Sequence, residues 1–540
     1  MMIAADDQEG PMSVAYAEAL FETGNHHDAA GAFAAAAIAF DECAELVPGN
    51  AVVLGNLATA LVKAGRMADA IPAYRRCLAV MPDDVDRWFG LANALRAAGP
   101  LPEAVEAYVQ CLRRAPEFGP AYVNLASALR ELGLLDQALI MAAAAVRLMP
   151  GDVDALTCIA GLHYDCGAFA TAVSWYGQAL ALAPGHAGVL SSLANALQGA
   201  GRLDAALVLH DRAYAAAPDH ADYRYNRALS LLAAGDFSRG WVEHEWRFRR
   251  ARAPAGAIDR GAAWAGEPLA GKTIVLHAEQ GFGDTIQFVR YAPLVAALGA
   301  TVVLEVPGAL TRLMGSVAGV AQVFASGVPW PRYDWHCSLM SLPLRFATEV
   351  ATIPAAVPYV TADSADCARF RNLHGHDRPL VGLVWAGGAH HGDMDSYLID
   401  RRRSVPVEAL APLAATDLVQ FVSLQKDFAI RPNIAMSDPM PWVEDFADTA
   451  AVIAGLDLVI AVDTAVAHLA GAMGKTVWLL SRYDGCWRWG DRQCETPWYP
   501  KMRIFRQDRP ADWDGVIAMV AKALTLWSTA FNSGVRAGRV

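Results

Sequence analysis

Two series of residues recur every 34 positions and decide what the first half of this chain can fold into. Pro48, Pro82, Pro116, Pro150, Pro184 and Pro218 form one series. Gly65, Gly99, Gly133, Gly167, Gly201 and Gly235 form the other, in register with it. A period of this size means a stack of small units, each burying its apolar face against its neighbours. The glycine ends one helix in a turn where a Cβ is unwelcome, and the proline stops the second helix. Other slots keep the same spacing. Leu57-Ala58, Leu91-Ala92, Leu125-Ala126, Ile159-Ala160 and Leu193-Ala194 fill one. Ala70, Ala104, Ala138, Ala172 and Ala206 fill another, where two helices must come close, and Tyr74, Tyr108 and Tyr176 lie four residues further on. Cys77 and Cys111 share a repeat position and read as small core fillers.

This pattern resembles the tetratricopeptide repeat over about residues 17 to 250 and predicts an all-α solenoid of about seven units across 13–250. The end units are expected to be atypical because they cap the stack. In the first, Gly24 to Pro48 is seven residues longer than the later intervals; the last lacks its closing proline. A solenoid of helix pairs offers a concave face to an extended chain. Asn56, Asn124 and Asn226 share one helix position, and Asn93 and Asn195 share another three residues later, on the same helix face. A carboxamide both donates and accepts, so it can hold a peptide backbone without reading its side chains. The row resembles the asparagine ladder of O-GlcNAc transferases, which implies a protein or peptide acceptor there. The plainer reading is that these asparagines satisfy backbone groups between repeats.

After Arg250 the period stops. Residues 251–271, with Gly, Ala and Pro, form a junction. Lys272 to Ala278 then reads as an apolar strand, Gly281-Phe282-Gly283-Asp284 as a turn, Ile286 to Leu298 as a helix and Thr301 to Val306 as a strand. Strand, glycine turn, helix, strand implies a parallel sheet. The pattern restarts at Pro379, with strands at Leu380–Trp385, Leu418–Leu424, Asp457–Val462 and Lys475–Leu480 and a final helix at Trp513–Trp527. The expected fold is therefore an all-α solenoid followed by α/β. A Rossmann-like domain at 272–361 and a second at 376–510 are closed by a helix within 511–530. One continuous sheet is the alternative.

Two constellations in that half can carry chemistry. In Gln280-Gly281-Phe282-Gly283-Asp284, Gly281 and Gly283 let backbone approach a ligand at a helix start, where an anion is favoured. Asp284 reads either as a functional carboxylate or as a plain helix N-cap. This is neither GxGxxG nor a Walker A loop, since Gly271-Lys272-Thr273 precedes the strand. The second constellation runs from Asp463-Thr464-Ala465 through His468 to Gly474. A strand delivers Asp463 and Thr464 to a helix of small residues whose free N–H groups can hold phosphate. His468 lies one turn along on the same face and reads as a donor contact, with a buried, satisfied histidine as the plainer alternative.

Taken together, strand–GxGD–helix followed by DTxxxHLAGAMG resembles the heptosyltransferase-like family 9 glycosyltransferases of GT-B architecture. The resemblance is patchy over about 272–527. It implies Asp284 as the base on the acceptor hydroxyl and Asp463, Thr464 and Ala465 at the sugar-nucleotide donor. It also implies Arg403, in Arg403-Ser404-Val405-Pro406, at the donor phosphate. Val405 and Ala465 replace the family's Trp and Gly. The chemistry is consistent. A positioned carboxylate takes the proton of a sugar or protein hydroxyl as the anomeric bond breaks. Arg403, Lys426 and the helix start at Thr464 can then stabilise the leaving phosphate. No metal or other cofactor is expected beyond the nucleotide-sugar co-substrate. Asp393-Met394-Asp395 is a DxD string read as a polar loop, and His390-His391 beside it as solvated. Trp487, Trp489, Trp498 and Tyr499 read as core rather than stacking platforms.

The whole chain resembles bacterial TPR–glycosyltransferase fusions, some of which modify flagellin with nonulosonic acid sugars. That implies a glycosyltransferase acting on a protein held by the repeats. The alternatives are an enzyme of glycan or lipopolysaccharide assembly whose solenoid docks an assembly partner, and a non-catalytic scaffold with a degenerate Rossmann pair. The formal charge of −12 and the absence of a large Lys/Arg block argue against a nucleic-acid binder; Arg401-Arg402-Arg403 reads as a local anion site. No apolar stretch is long enough to span a membrane. An acidic start without a leader pattern and nine unpatterned cysteines suit the cytoplasm.

Overall fold

The computed structural model describes residues 11–251, 261–370, 378–388, 394–426 and 430–537. It divides into two compact units. The first is residues 1–166 with 171–184, and the second is 167–170 with 185–540.

Unit one is a run of antiparallel helix pairs, from Pro11–Ala29 and Phe33–Leu46 through Val153–Asp165 and most of Phe169–Leu182. The turn glycines all have positive φ: Gly65 at 76°, Gly99 at 112°, Gly133 at 76°. Gly31 has the same conformation at 75° and lies 34 residues before Gly65. The first unit therefore keeps the period. Its turn is at Gly31, while Gly24 sits inside the first helix, where a Cβ would come 2.5 Å from the Phe40 ring. The alanine slot is closed, with Ala70, Ala104 and Ala138 at 0% exposure. Caps share the period too: Asn50, Asp84 and Asp152 accept from N–H groups two or three residues on. Each such cap is worth about 1 kcal/mol. Neighbouring repeats are also tied by ion pairs 35 residues apart, Arg96 to Glu131 at 2.8 Å and Arg130 to Asp165.

Unit two begins with four more repeat helices, Ala187–Gly199, Leu203–Ala216, Ala221–Ala233 and Phe237–His244. Two separate, wholly parallel sheets follow. The first holds β1 (Thr273–His277), β2 (Thr301–Val306), β3 (Val320–Ala325) and β4 (Trp335–Ser338), in the order β3-β2-β1-β4. The second holds β5 (Leu380–Val384), β6 (Gln420–Ser423), β7 (Met436–Ser437), β8 (Leu458–Val462), β9 (Val477–Ser481) and β10 (Met502–Arg506), in the order β10-β9-β8-β5-β6-β7. Sheets covered on both faces need continuous apolar strands, and Leu458–Val462 and Val477–Ser481 are buried throughout. The expected helix Ile286–Leu298 is broken. It runs as Phe282–Phe288, a 3-10 turn Val289–Tyr291 and Ala292–Ala297, with Pro293 in the first turn of the last piece. Asp395 lies in a helix, Met394–Arg403, rather than a polar loop. The last helix reaches Ala537.

The last two repeat helices, Ala221–Ala233 and Phe237–His244, share one core with the sheets. Leu232, Phe237 and Trp241 belong to the same buried cluster as Ile286, Val459 and Leu524. Trp241 Nε1 donates to the Thr348 carbonyl at 3.1 Å, and Phe237 stacks on Trp498 at 6.1 Å.

Candidate functional site

In a parallel sheet, ligands bind beyond the carboxyl ends of the strands, where the strand order turns back. In the first sheet that point is β1, flanked by β2 and β4; in the second it is the pair β5 and β8. The two sequence constellations follow these strands. The glycine turn leaves β1 and opens the helix Phe282–Phe288; Asp463 leaves β8 and opens the helix Ala465–Ala472. The two helix starts touch. A Cβ on Gly283 would lie 2.9 Å from His468 Cδ2 and 3.6 Å from Ala465 Cα. Gly283 is thus required for helix-to-helix approach, a use the sequence does not suggest.

Asp284 is the third residue of its helix, and Gly281 is the N-cap. Its Oδ2 accepts from the Gly281 N–H at 3.0 Å, the carboxylate half of a capping box whose other half glycine cannot supply. Its Oδ1 is ion-paired with Arg488 Nη2. The N-cap reading is therefore corrected by three positions, from N-cap to N3, and the carboxylate has a partner no motif marked. Arg488 also donates from Nε to Gln287 Oε1 at 2.5 Å and lies 4.4 Å over the Trp487 ring. Burial lowers the Arg488 pKa, but Asp284, Cys486 and Asp463 outweigh it and hold it above the ordinary value.

His468 is buried, with Nδ1 at 2.9 Å from Tyr499 Oη and Nε2 at 3.9 Å from Asp463 Oδ1. Burial, helped by Arg488, Arg290 and Arg403 against Asp463, pushes its pKa down to about 3, so it is neutral and cannot act as a cation toward phosphate. Thr464 caps its helix without a side-chain bond to it; its hydroxyl donates to the Val462 carbonyl at 3.2 Å. Arg403 stands at the exit of β5. Its Nε donates to Asp400 at 2.8 Å, and Gly387 lacks the Cβ that would strike both side chains. Lys426 donates to the Val443 carbonyl at 3.0 Å. Asp393, His390 and His391 lie outside the described residues. Trp487, Trp489, Trp498 and Tyr499 are buried, as core residues are.

Arg290, which no motif picks out, bolts the layers together. It donates to the Trp498 carbonyl at 2.8 Å and to Tyr359 Oη at 2.9 Å. A different network ties the last repeat to the turn after β1. Buried Arg247 donates to Glu279 at 2.6 Å and to Ser341 at 2.8 Å.

Several asparagines bond from one repeat to the next. Asn124 Nδ2 donates to Asn93 Oδ1 at 2.8 Å, which also accepts from Tyr108 at 2.6 Å. Asn56 reaches Asn25 at 3.4 Å, and Asn226 reaches Ser191 at 3.2 Å. The partners are side chains of the preceding repeat rather than its backbone. For Asn195 the structure gives a half-buried position on the helix Ala187–Gly199.

The tetratricopeptide repeat family model matches residues 56–120, 96–153 and 192–240, so this is a TPR-containing protein. A curated relative, Protein FlbA of Caulobacter vibrioides, is 27% identical over 317 residues, 53% of this chain and 52% of the relative. The chain thus spans about half the length of that relative. A tetratricopeptide repeat protein from Parabacteroides merdae is 17% identical, with a TM-score of 0.39, over 42% of this chain and 91% of its own. YrrB, described as a TPR protein with an unusual peptide-binding site, is 23% identical with a TM-score of 0.30, over 36% and 100%. No helix among the described residues is long and apolar enough to cross a membrane.

Proposed function

We propose that the chain is a metal-independent glycosyltransferase of GT-B type that moves a sugar from a nucleotide-sugar donor to a hydroxyl of a protein held by the repeats. The observation that carries this reading is the meeting of the two helix starts, Phe282–Phe288 and Ala465–Ala472, each at the carboxyl end of a strand where its sheet reverses. Asp284 takes the acceptor proton there. Arg403 and the N–H groups at Thr464 and Ala465 face the charge that develops on the leaving phosphate, which is how such sites lower barriers. The repeats raise the local concentration of a protein acceptor. Flagellin is the acceptor to try first, given the resemblance to flagellin-modifying fusions.

A second reading, a non-catalytic scaffold, has one observation in its favour: both Asp284 oxygens already hold a donor, Gly281 N–H and Arg488. Intact-mass analysis of proteins captured from bacterial cells separates the two. The proposal predicts a sugar-sized increment on a captured protein with the wild-type chain and none with Asp284→Asn. Capture without an increment in either case leaves the scaffold.

A further inference from the structure

Beside the candidate site, two arginines hydrogen-bond to neutral acceptors. Arg290 is 3% exposed, and its acceptors are neutral: the carbonyls of Gln287, Pro354 and Trp498 and the Tyr359 hydroxyl. Arg506, at the end of β10, donates to the Trp489 and Gly490 carbonyls, each at 3.1 Å. Its buried Nε has no acceptor among the described residues. Trp489 packs 5.2 Å from the His468 ring, so Arg506 borders the site. Guanidinium groups that bond to neutral acceptors in this way leave a field that an anion would complete. Arg488, close enough to act on His468, spends its fork on Asp284 and Gln287 of the helix Phe282–Phe288.

We propose that Arg488 is the anchor for the donor's phosphate and that, until a donor arrives, it is held by Asp284, so the donor must bind before the acceptor hydroxyl can be deprotonated. This rests on the glycosyltransferase reading above. A guanidinium fork fits phosphate as well as carboxylate, and a phosphate of higher charge displaces a single carboxylate from it. Release leaves Asp284 Oδ2 on the Gly281 N–H and frees Oδ1. In the transfer step the acceptor O–H proton goes to Oδ1, and the acceptor oxygen bonds to the anomeric carbon. The bond from that carbon to the phosphate oxygen breaks, and its electron pair leaves with the nucleotide phosphate, beside Arg488. Arg488 is in this sense a donor-binding residue and also a gate on the base.

The test is calorimetric titration of the full chain with UDP, GDP, dTDP, CMP and inorganic pyrophosphate. It uses the wild type, Arg488→Gln, Arg488→Lys and Asp284→Asn. The expected result is that at least one nucleotide binds the wild type. Arg488→Gln weakens it about 10–100-fold, the usual worth of a charge-assisted contact, and Arg488→Lys weakens it less. Asp284→Asn, in contrast, tightens it about 3–10-fold, because the competing carboxylate is gone. If Arg488 only fastens the helix Phe282–Phe288 to its neighbours, Arg488→Gln and Asp284→Asn break the same contact and both weaken binding, which overturns the proposal. Equal binding by all four proteins overturns it as well and leaves the glycosyltransferase reading standing. Failure of every probe to bind the wild type removes that reading and the proposal together. Should Arg488→Gln not fold, the direction of the Asp284→Asn change decides alone.

Discussion

The two compact units are held together at different ranges along the chain. In unit one the contacts that matter join neighbours: ion pairs 35 residues apart, carboxamide bonds 31 residues apart and caps within one turn. In unit two they span hundreds of residues. Arg290 reaches Trp498 across 208 positions, Arg488 reaches Asp284 across 204, and Trp241 reaches Thr348 across 107. Local stacks can open one repeat at a time, whereas long-range cores open as a whole. A binding arm tolerates the first behaviour; a site assembled from two sheets needs the second. Unit two also takes in four repeat helices, the last two of which complete its core, so the compact division falls inside the repeat run, near residue 184.

The largest expected contrast between the units is catalytic. Asp284→Asn should lower sugar transfer roughly 10²–10⁴-fold, the usual worth of a general base, while unit one and its capture of protein stay unchanged. Near-normal turnover would reduce Asp284 to its capping and ion-pair roles.

The next contrast is in acid. His210, at 0% exposure, and His468, at 5%, both belong to unit two, and burial pushes their pKa values down to about 4 and about 3. Unfolded, each titrates near 6.5. Between roughly pH 6.5 and 3 the unfolded chain therefore binds more protons than the folded one. Stability is fully present above that window and falls as pH drops through it. Calorimetric scans from pH 7 to pH 4 should show the unit-two transition moving down more steeply than that of unit one. Parallel shifts would contradict the burial of these histidines.

Glycine substitutions should change sign between the units. Gly283→Ala brings a methyl against His468 and should cost about 1–3 kcal/mol as overpacking. Gly177→Ala, in a repeat helix with nothing within 4 Å of the added carbon, should gain about 0.5–1 kcal/mol. Melting temperatures of the two variants check this. The smallest effect belongs to Asn124→Ala. It removes one half-buried bond to Asn93, worth about 1 kcal/mol, and should weaken protein capture without altering nucleotide affinity. Parallel loss of both would make the asparagine a structural group only.

Legibility follows the same division. Repeats meet the same surroundings each time, so the same residue types return, and the alanine and tyrosine slots read directly as core. Gly31 belongs to the series as well; Gly24 misleads because a helical glycine facing Phe40 looks like a turn. In the α/β half each strand has its own neighbours. β2 is legible to the residue, but β3, β4, β7 and β10 lack a flanking motif, and β4 and β7 are also short. Asp284 is legible because a glycine turn announces it. Arg488 is not, because it lies among tryptophans that read as core and its partner is 204 residues away.

Hydrogen exchange on the full chain, with and without a panel of UDP-, GDP-, dTDP- and CMP-linked sugars, tests the central claim most directly. One donor should slow exchange in peptides spanning Gly281–Thr285 and Asp463–His468, with the repeats of unit one unchanged. No protection with any donor, or protection confined to the repeats, would contradict a sugar-nucleotide site in the α/β half.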